Sequence, residues 1–100
     1  MSIAYIWEYT VKDGSVDEFL AAYGSEGDWA KLFESDPKYV ETKLLRDENH
    51  PNRFLTIDYW TSKESFEAFK RNCRAEYAAI DARCERLTES ESFVGEFDVP

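Results

Sequence analysis

The chain predicts an α+β, ferredoxin-like fold of βαββαβ order: an antiparallel sheet with helices on one face, in a single domain over residues 1–100. Three features carry that expectation. Ile3 to Val11 alternates as a strand does, and Tyr39 to Arg46 and Arg53 to Trp60 flank a wholly polar connection, Asp47 to Asn52, as a hairpin does. From Ser62 to Leu87, Phe66, Phe69, Cys73, Tyr77, Ile80, Cys84 and Leu87 recur every three or four residues, the helical period.

In chain order, the first strand puts Ile3, Tyr5, Trp7, Tyr9 and Val11 on one face and Ala4, Ile6, Glu8 and Thr10 on the other. Asp13-Gly14 turns the chain, and Ser15 with Glu18 has the spacing of a capping box. Val16, Phe19, Leu20 and Tyr23 then form a core-facing stripe that Gly24 ends. A short helix opens at Asp28, turns Trp29, Leu32 and Phe33 inward, and stops before Pro37. After the third strand, Thr61 and Glu64 have capping-box spacing ahead of the long helical pattern. One unbroken helix from Ser62 to Leu87 would run about 39 Å, too long for a domain of this size, so a break is expected near Asn72. Phe93 to Val99 closes the sheet.

Both faces of that sheet are apolar: Leu55, Ile57 and Tyr59 lie on one side of the third strand, Phe54 and Trp60 on the other. Helices cover one face only, so a second copy of the chain is expected on the other, giving a homodimer.

Composition narrows the function. A net charge of −9 disfavours nucleic acid and anionic membrane surfaces, both of which need clustered Lys and Arg. Neither a secretory leader nor an apolar run of ~20 residues is visible, and a cytoplasmic protein is expected. Aromatic residues make up 16% of the chain, a large share for so small a core, which points to a cavity or an interface lined with rings. Cys73 and Cys84 would lie about 16 Å apart on one helix, so they read as buried free thiols. A lone histidine and no CxxC leave no zinc set, and no glycine spacing supports a nucleotide or flavin loop.

At these residues the chain resembles the antibiotic-biosynthesis-monooxygenase-like group of the dimeric α/β-barrel superfamily. The resemblance rests on Tyr5-Ile6-Trp7-Glu8-Tyr9, Val16-Asp17-Glu18-Phe19, Leu44-Leu45-Arg46-Asp47, Asp58-Tyr59-Trp60 leading into Ser62-Lys63-Glu64-Ser65-Phe66, and Gly95 with Phe97. It implies either a cofactor-free monooxygenase acting on polycyclic phenols with O2 or a haem-degrading enzyme. The latter uses a proximal histidine on the helix after the third strand, where this chain has Lys70-Arg71-Asn72, while His50 lies in the polar loop. Haem is therefore not expected, and no cofactor is.

A cofactor-free oxygenase needs a substrate that gives an electron to O2 once deprotonated, so the protein must hold aromatic rings, help remove a phenolic proton and exclude water. The candidates for substrate binding are Trp7, Tyr9, Tyr23, Trp29, Phe33 and Trp60, and those for chemistry are Asp58, Tyr77, Glu8 and Asn72. Each has a plain structural counterpart. Trp60 and Trp29 also suit core packing, and Asn72 suits a helix terminator. Asp58 could be held by a salt bridge or by the Thr61–Ser62 backbone, and Glu8 could be only an ion-pair partner if its face meets solvent or a subunit boundary. Three classes follow: a monooxygenase for a hydrophobic aromatic or polyketide-like molecule, a non-catalytic dimer binding such a ligand, and a structural dimer with a filled core. A pocket of roughly a few hundred Å³ with convergent polar groups favours the first two, and Trp7, Trp29 and Trp60 packed into each other with no cavity favours the third.

Overall fold

The computed structural model describes residues 2–100. Strands β1 (Ser2–Val11), β2 (Tyr39–Arg46), β3 (Arg53–Trp60) and β4 (Thr88–Val99) form one sheet in the order β2-β3-β1-β4. Every pairing is antiparallel. Helices α1 (Val16–Tyr23) and α2 (Asp28–Phe33) connect β1 to β2, and α3 (Lys63–Asn72) and α4 (Arg74–Cys84) connect β3 to β4 through a 3-10 turn at Glu85–Leu87. This is the expected α+β ferredoxin-like plan, with both hairpin strands in their expected bounds and the helical break at Cys73, next to Asn72.

β4 starts earlier than expected, at Thr88 rather than Phe93. Its charged and small residues Glu89 to Ser92 carry no apolar alternation, yet Ser90, Glu91 and Ser92 pair with Thr10, Tyr9 and Glu8 through the backbone. Gly14 takes a left-handed φ of 83° in the turn after β1, a conformation a side chain would strain.

The inner face of the sheet meets the helices. Trp60 is fully buried there, with its ring centroid 5.1 Å from both Phe66 and Phe69 and 5.6 Å from Phe33. Phe19 stacks on Tyr23 at 4.3 Å and lies 5.0 Å from Phe54, anchoring α1 on the sheet. Leu20, expected to face the core, is exposed. The stripe on α1 is carried instead by Phe19, Ala22 and Tyr23, because an eight-residue helix presents a narrower face to the sheet than its apolar residues span. Cys84 is buried as a free thiol, and Cys73 at the helix break is only half-buried.

Two capping expectations are corrected. Ser15 makes no side-chain cap, and Glu18 reaches across to Arg86 at 2.5 Å, because Ser15 lies outside the extended geometry that aims a cap hydroxyl at the helix. At α3 the box forms between Ser62 and Ser65, not Thr61 and Glu64. The Ser62 hydroxyl accepts from the Ser65 N–H at 3.1 Å, and the Ser65 hydroxyl accepts from the Ser62 N–H at 3.2 Å.

Edge strand β2 carries one one-residue irregularity and β4 two, one of which leaves Glu89 extra between the Thr10–Ser90 and Val11–Thr88 pairs. On β4, Ile6 pairs with Gly95 but Trp7 pairs with Phe93, leaving Val94 as the extra residue. On β2, Tyr39 pairs with Trp60 but Glu41 pairs with Tyr59, leaving Val40 extra. A slip of one residue reverses which face each side chain takes. Glu91 and Phe93 are thereby brought to the inner face opposite Tyr9 and Trp7, and Tyr39 shares that face with Thr42. The outer face has no helix over it, and Leu45, Phe97 and Val99 are exposed there.

Replacing Ser62 by Ala should lower unfolding free energy by about 1 kcal/mol, whereas Glu64→Ala should change it by only a few tenths. Urea unfolding with an unchanged m-value reads both, and equal losses in the two variants would contradict the Ser62–Ser65 cap.

Candidate functional site

Between the inner sheet face and helices α1, α2 and α4 lies a cavity of about 170 Å³. The sheet supplies its floor: Trp7 and Tyr9 from β1, Thr42 from β2, Thr56 and Asp58 from β3, and Glu91 from β4. The helices supply its roof: Tyr23 from α1, Trp29 and Phe33 from α2, Tyr77 and Asp81 from α4. Trp29 meets Tyr77 edge-on at 4.8 Å, and Tyr23 lies 4.9 Å from Tyr9, so rings form a nearly continuous wall. No two of the tryptophans stack on one another among the described residues; Trp60 sits in the core and the other two line the cavity.

Seven of the residues expected from sequence converge here: Trp7, Tyr9, Tyr23, Trp29, Phe33, Asp58 and Tyr77. Three do not. Glu8 points from the outer face and pairs with Arg53 at 2.6 Å, because its neighbours Trp7 and Tyr9 take the inner one. Asn72 is the exposed last residue of α3. Trp60 packs in the core beyond the cavity wall, with its indole N–H unpartnered. Four lining residues were not foreseen. Thr42, Thr56 and Asp81 are small or polar positions within patterned elements, and Glu91 lies in the stretch of β4 that lacks a strand signature. The alternation of Phe54, Asp58 and Trp60 could have flagged Thr56.

Asp58 is held by neither a salt bridge nor the Thr61–Ser62 backbone. Its Oδ1 accepts a hydrogen bond from the Thr42 hydroxyl at 2.7 Å, which in turn accepts one from the Tyr39 hydroxyl at 2.7 Å. Loss of water around the carboxylate pushes its pKa up to about 6, and the Thr42 hydrogen bond offsets part of that rise. Such a carboxylate is largely ionised at neutral pH yet basic enough to accept a proton.

The other groups are neutral or anionic. Burial, with Asp81 and Asp58 adding, pushes the Tyr77 phenol to about 12. Burial raises Tyr9 and Tyr23 further still. Glu91 is also raised, by burial first and then by Asp81 and Glu85. No lining residue is cationic. The indole N–H of Trp29 has no hydrogen-bond partner, although Tyr23 and Cys84 lie beside it. The cavity therefore offers one poised base, several neutral donors and flat apolar walls. Its carboxylates oppose an anionic ligand and accommodate a neutral aromatic one.

Among the described residues no group of three or more His, Cys, Asp and Glu could hold a metal ion. His50 is exposed in the β2–β3 loop, 3.4 Å from Asp47, well separated in sequence and structure from the cavity wall. No helix is long and apolar enough to cross a membrane, again among the described residues.

An antiparallel sheet with helices on one face, and between them a small aromatic cavity that opens to solvent at Asp81 and Glu91, define an α+β domain of the ferredoxin-like class. The antibiotic biosynthesis monooxygenase family model matches residues 2–82, and the chain belongs to that family. Among solved structures it is similar to SnoaB, a cofactor-independent oxygenase from Streptomyces nogalater, with a TM-score of 0.80 and 19% identity over 99% of this chain and 93% of that one. A candidate antibiotic biosynthesis monooxygenase from Bordetella bronchiseptica superposes with a TM-score of 0.79 at 15% identity, covering 99% and 97% of the two chains. A conserved protein from Methanosarcina mazei Go1 gives 0.73 at 13%, covering 97% and 91%. These likenesses establish the fold. No curated protein matches the chain significantly.

The raised pKa of Asp58 has a consequence for stability. A carboxylate whose folded pKa exceeds its ordinary 3.8 stabilises the fold below that value, and the contribution is lost as pH climbs through about 6. Asp58→Asn, which has no charge to desolvate, should therefore gain on the wild type between pH 4 and 7.5, by at most about 3 kcal/mol. Urea unfolding across that range reads the difference. A difference that stays flat with pH would mean the carboxylate is not desolvated.

Proposed function

We propose that the chain is a cofactor-independent monooxygenase that oxidises a hydrophobic aromatic or polyketide-like small molecule with O2, acting as a homodimer. One observation carries this reading: a desolvated carboxylate, Asp58, stands in a ring-walled cavity with no cation beside it. Membership of the family and likeness to a cofactor-independent oxygenase support it.

In this reading Trp7, Tyr9, Tyr23, Trp29 and Phe33 sandwich the substrate rings, and Asp58 is the general base. The substrate brings an acidic CH2 activated by its phenolic rings. Asp58 takes one proton, and the carbanion passes an electron to O2. The radical and superoxide then join to form a C–O bond. The peroxide anion recovers the proton from Asp58, which then takes the second C–H proton as the O–O bond breaks, giving a carbonyl and hydroxide; the hydroxide and the proton left on Asp58 together make up the water released. One oxygen atom enters the product and the other leaves as water. The Tyr77 hydroxyl is the neutral donor for the oxyanion, a role that needs no net charge once the substrate has displaced water from the cavity. Glu8, Asn72 and Trp60 take no part in it.

The exposed outer face, with Leu45, Phe97 and Val99, is the surface for the second subunit. Free Cys73 and Cys84 fit a reducing compartment, the cytoplasm. A non-catalytic dimer binding the same kind of ligand is the second reading, favoured by the small cavity and the absence of a cationic oxyanion partner.

Oxygen uptake with polycyclic phenols bearing an acidic CH2 tests the reaction. Asp58→Asn should cut kcat/KM about a hundredfold or more, and Tyr77→Phe severalfold, with both variants folded. Tight binding without oxygen uptake would leave the second reading. Native mass spectrometry should show a dimer that Phe97→Glu converts to monomer; a wild-type monomer would rule out the assembly.

A further inference from the structure

The Asp58 carboxylate does not end its hydrogen bonding at the cavity. Tyr39 Oη donates to Thr42 Oγ1 at 2.7 Å, and Thr42 Oγ1 donates to Asp58 Oδ1 at 2.7 Å. Thr42 is buried, and it borders two spaces: the aromatic cavity on one side, and on the other an outer cleft lined by Glu34, Asp36, Pro37, Tyr39 and Glu41. Glu34, Pro37 and Glu41 are exposed, so that cleft meets solvent. In a regular strand, residues three apart face opposite ways. The extra residue Val40 is what turns Tyr39 to the face of Thr42, so the chain of hydroxyls exists only because of the irregularity in β2.

We propose that Tyr39 and Thr42 form a proton relay joining Asp58 to the outer cleft, so that the carboxylate exchanges protons with solvent while a ligand fills its cavity. This deepens the oxygenase reading and rests on it for its use in turnover. With Asp58 protonated, the hydroxyls first turn outward, so that Asp58 donates to Thr42 Oγ1, Thr42 to Tyr39 Oη and Tyr39 to water in the cleft; each proton then moves one step outward and one leaves to that water. Each hydroxyl ends with one proton and the original donor direction restored. No group is oxidised or reduced. Thr42 and Tyr39 are positioning residues, acting on substrate only through Asp58.

Other titratable groups face Asp58 from the elements around it: Tyr9 from β1, Tyr23 from α1, Tyr77 and Asp81 from α4, and Glu91 from β4. Helix α2 brings only Trp29 and Phe33. Because Asp81 and Glu91 bring further carboxyl groups to the same cavity, the Asp58 signal itself must be followed.

The experiment is a 13C-carboxyl NMR titration of Asp58 in the wild type, Thr42→Val, Thr42→Ser and Tyr39→Phe, with amide spectra checking the fold. The wild type should titrate near pH 6. Thr42→Val should move the midpoint up by about one unit, Thr42→Ser should restore it, and Tyr39→Phe should move it up by less. With a polycyclic phenol as probe, the acid limb of the rate profile should shift with Thr42→Val. Tyr39→Phe should lower kcat severalfold, enlarge the solvent isotope effect and leave KM unchanged. A midpoint indifferent to Thr42→Val and Tyr39→Phe overturns the relay, as does an unchanged kcat and isotope effect in Tyr39→Phe. If the wild type turns over no phenol, the oxygenase reading falls, and the titration alone decides the linkage of Asp58 to Tyr39.

Discussion

The packing of Trp60 sets the rest of the structure. Its indole, fully buried at the end of β3, is surrounded by Phe33, Tyr39, Phe66 and Phe69, so one residue ties α2, β2 and α3 to the centre of the sheet. Such ring contacts contribute beyond the area they bury, and they hold specific angles. Burying the indole leaves its N–H without a partner, a cost the aromatic contacts must outweigh. Phe19 packed against Phe54 fills the other end of the layer. The cavity is the space left between Trp29 and Tyr77 above and Trp7, Tyr9 and Asp58 below.

Within that space the polar groups are few and uneven. Asp58 has one strong donor, Thr42, and lies among phenols that burial keeps protonated. A carboxylate so placed is costly to ionise, and a domain of this size tolerates the cost because the aromatic core on either side is dense. The same desolvation that weakens the fold raises the basicity of the group. Stability and chemistry therefore pull on one side chain in opposite directions, a pairing common at functional sites.

Much of this was legible in the residues. Strand alternation placed β1, β2 and β3, helical spacing placed α1 to α4, and the polar hairpin separated β2 from β3. Seven cavity residues were also legible, since large rings and a lone carboxylate on the inward positions of strands and helices can only meet across the layer. Local competition defeated the rest. Three neighbouring hydroxyls, Thr61, Ser62 and Ser65, compete to cap α3, and spacing cannot rank them. Glu8 has the right character for a base, but its position one residue from Trp7 puts it on the outer face with Arg53.

Period and polarity are local properties, and they were sufficient for the order of elements, the αβ layering and the acidic, aromatic character of the chain. Which face each edge-strand residue takes is not local. It depends on pairing with a neighbour distant in sequence, and a single extra residue reverses it. Val40 brings Tyr39 beside Thr42, and the irregularity at Val94 and Gly95 turns Glu91 into the cavity. The hydrogen-bonded line from Tyr39 to Asp58 exists because β2 slips by one residue against a central pair that does not.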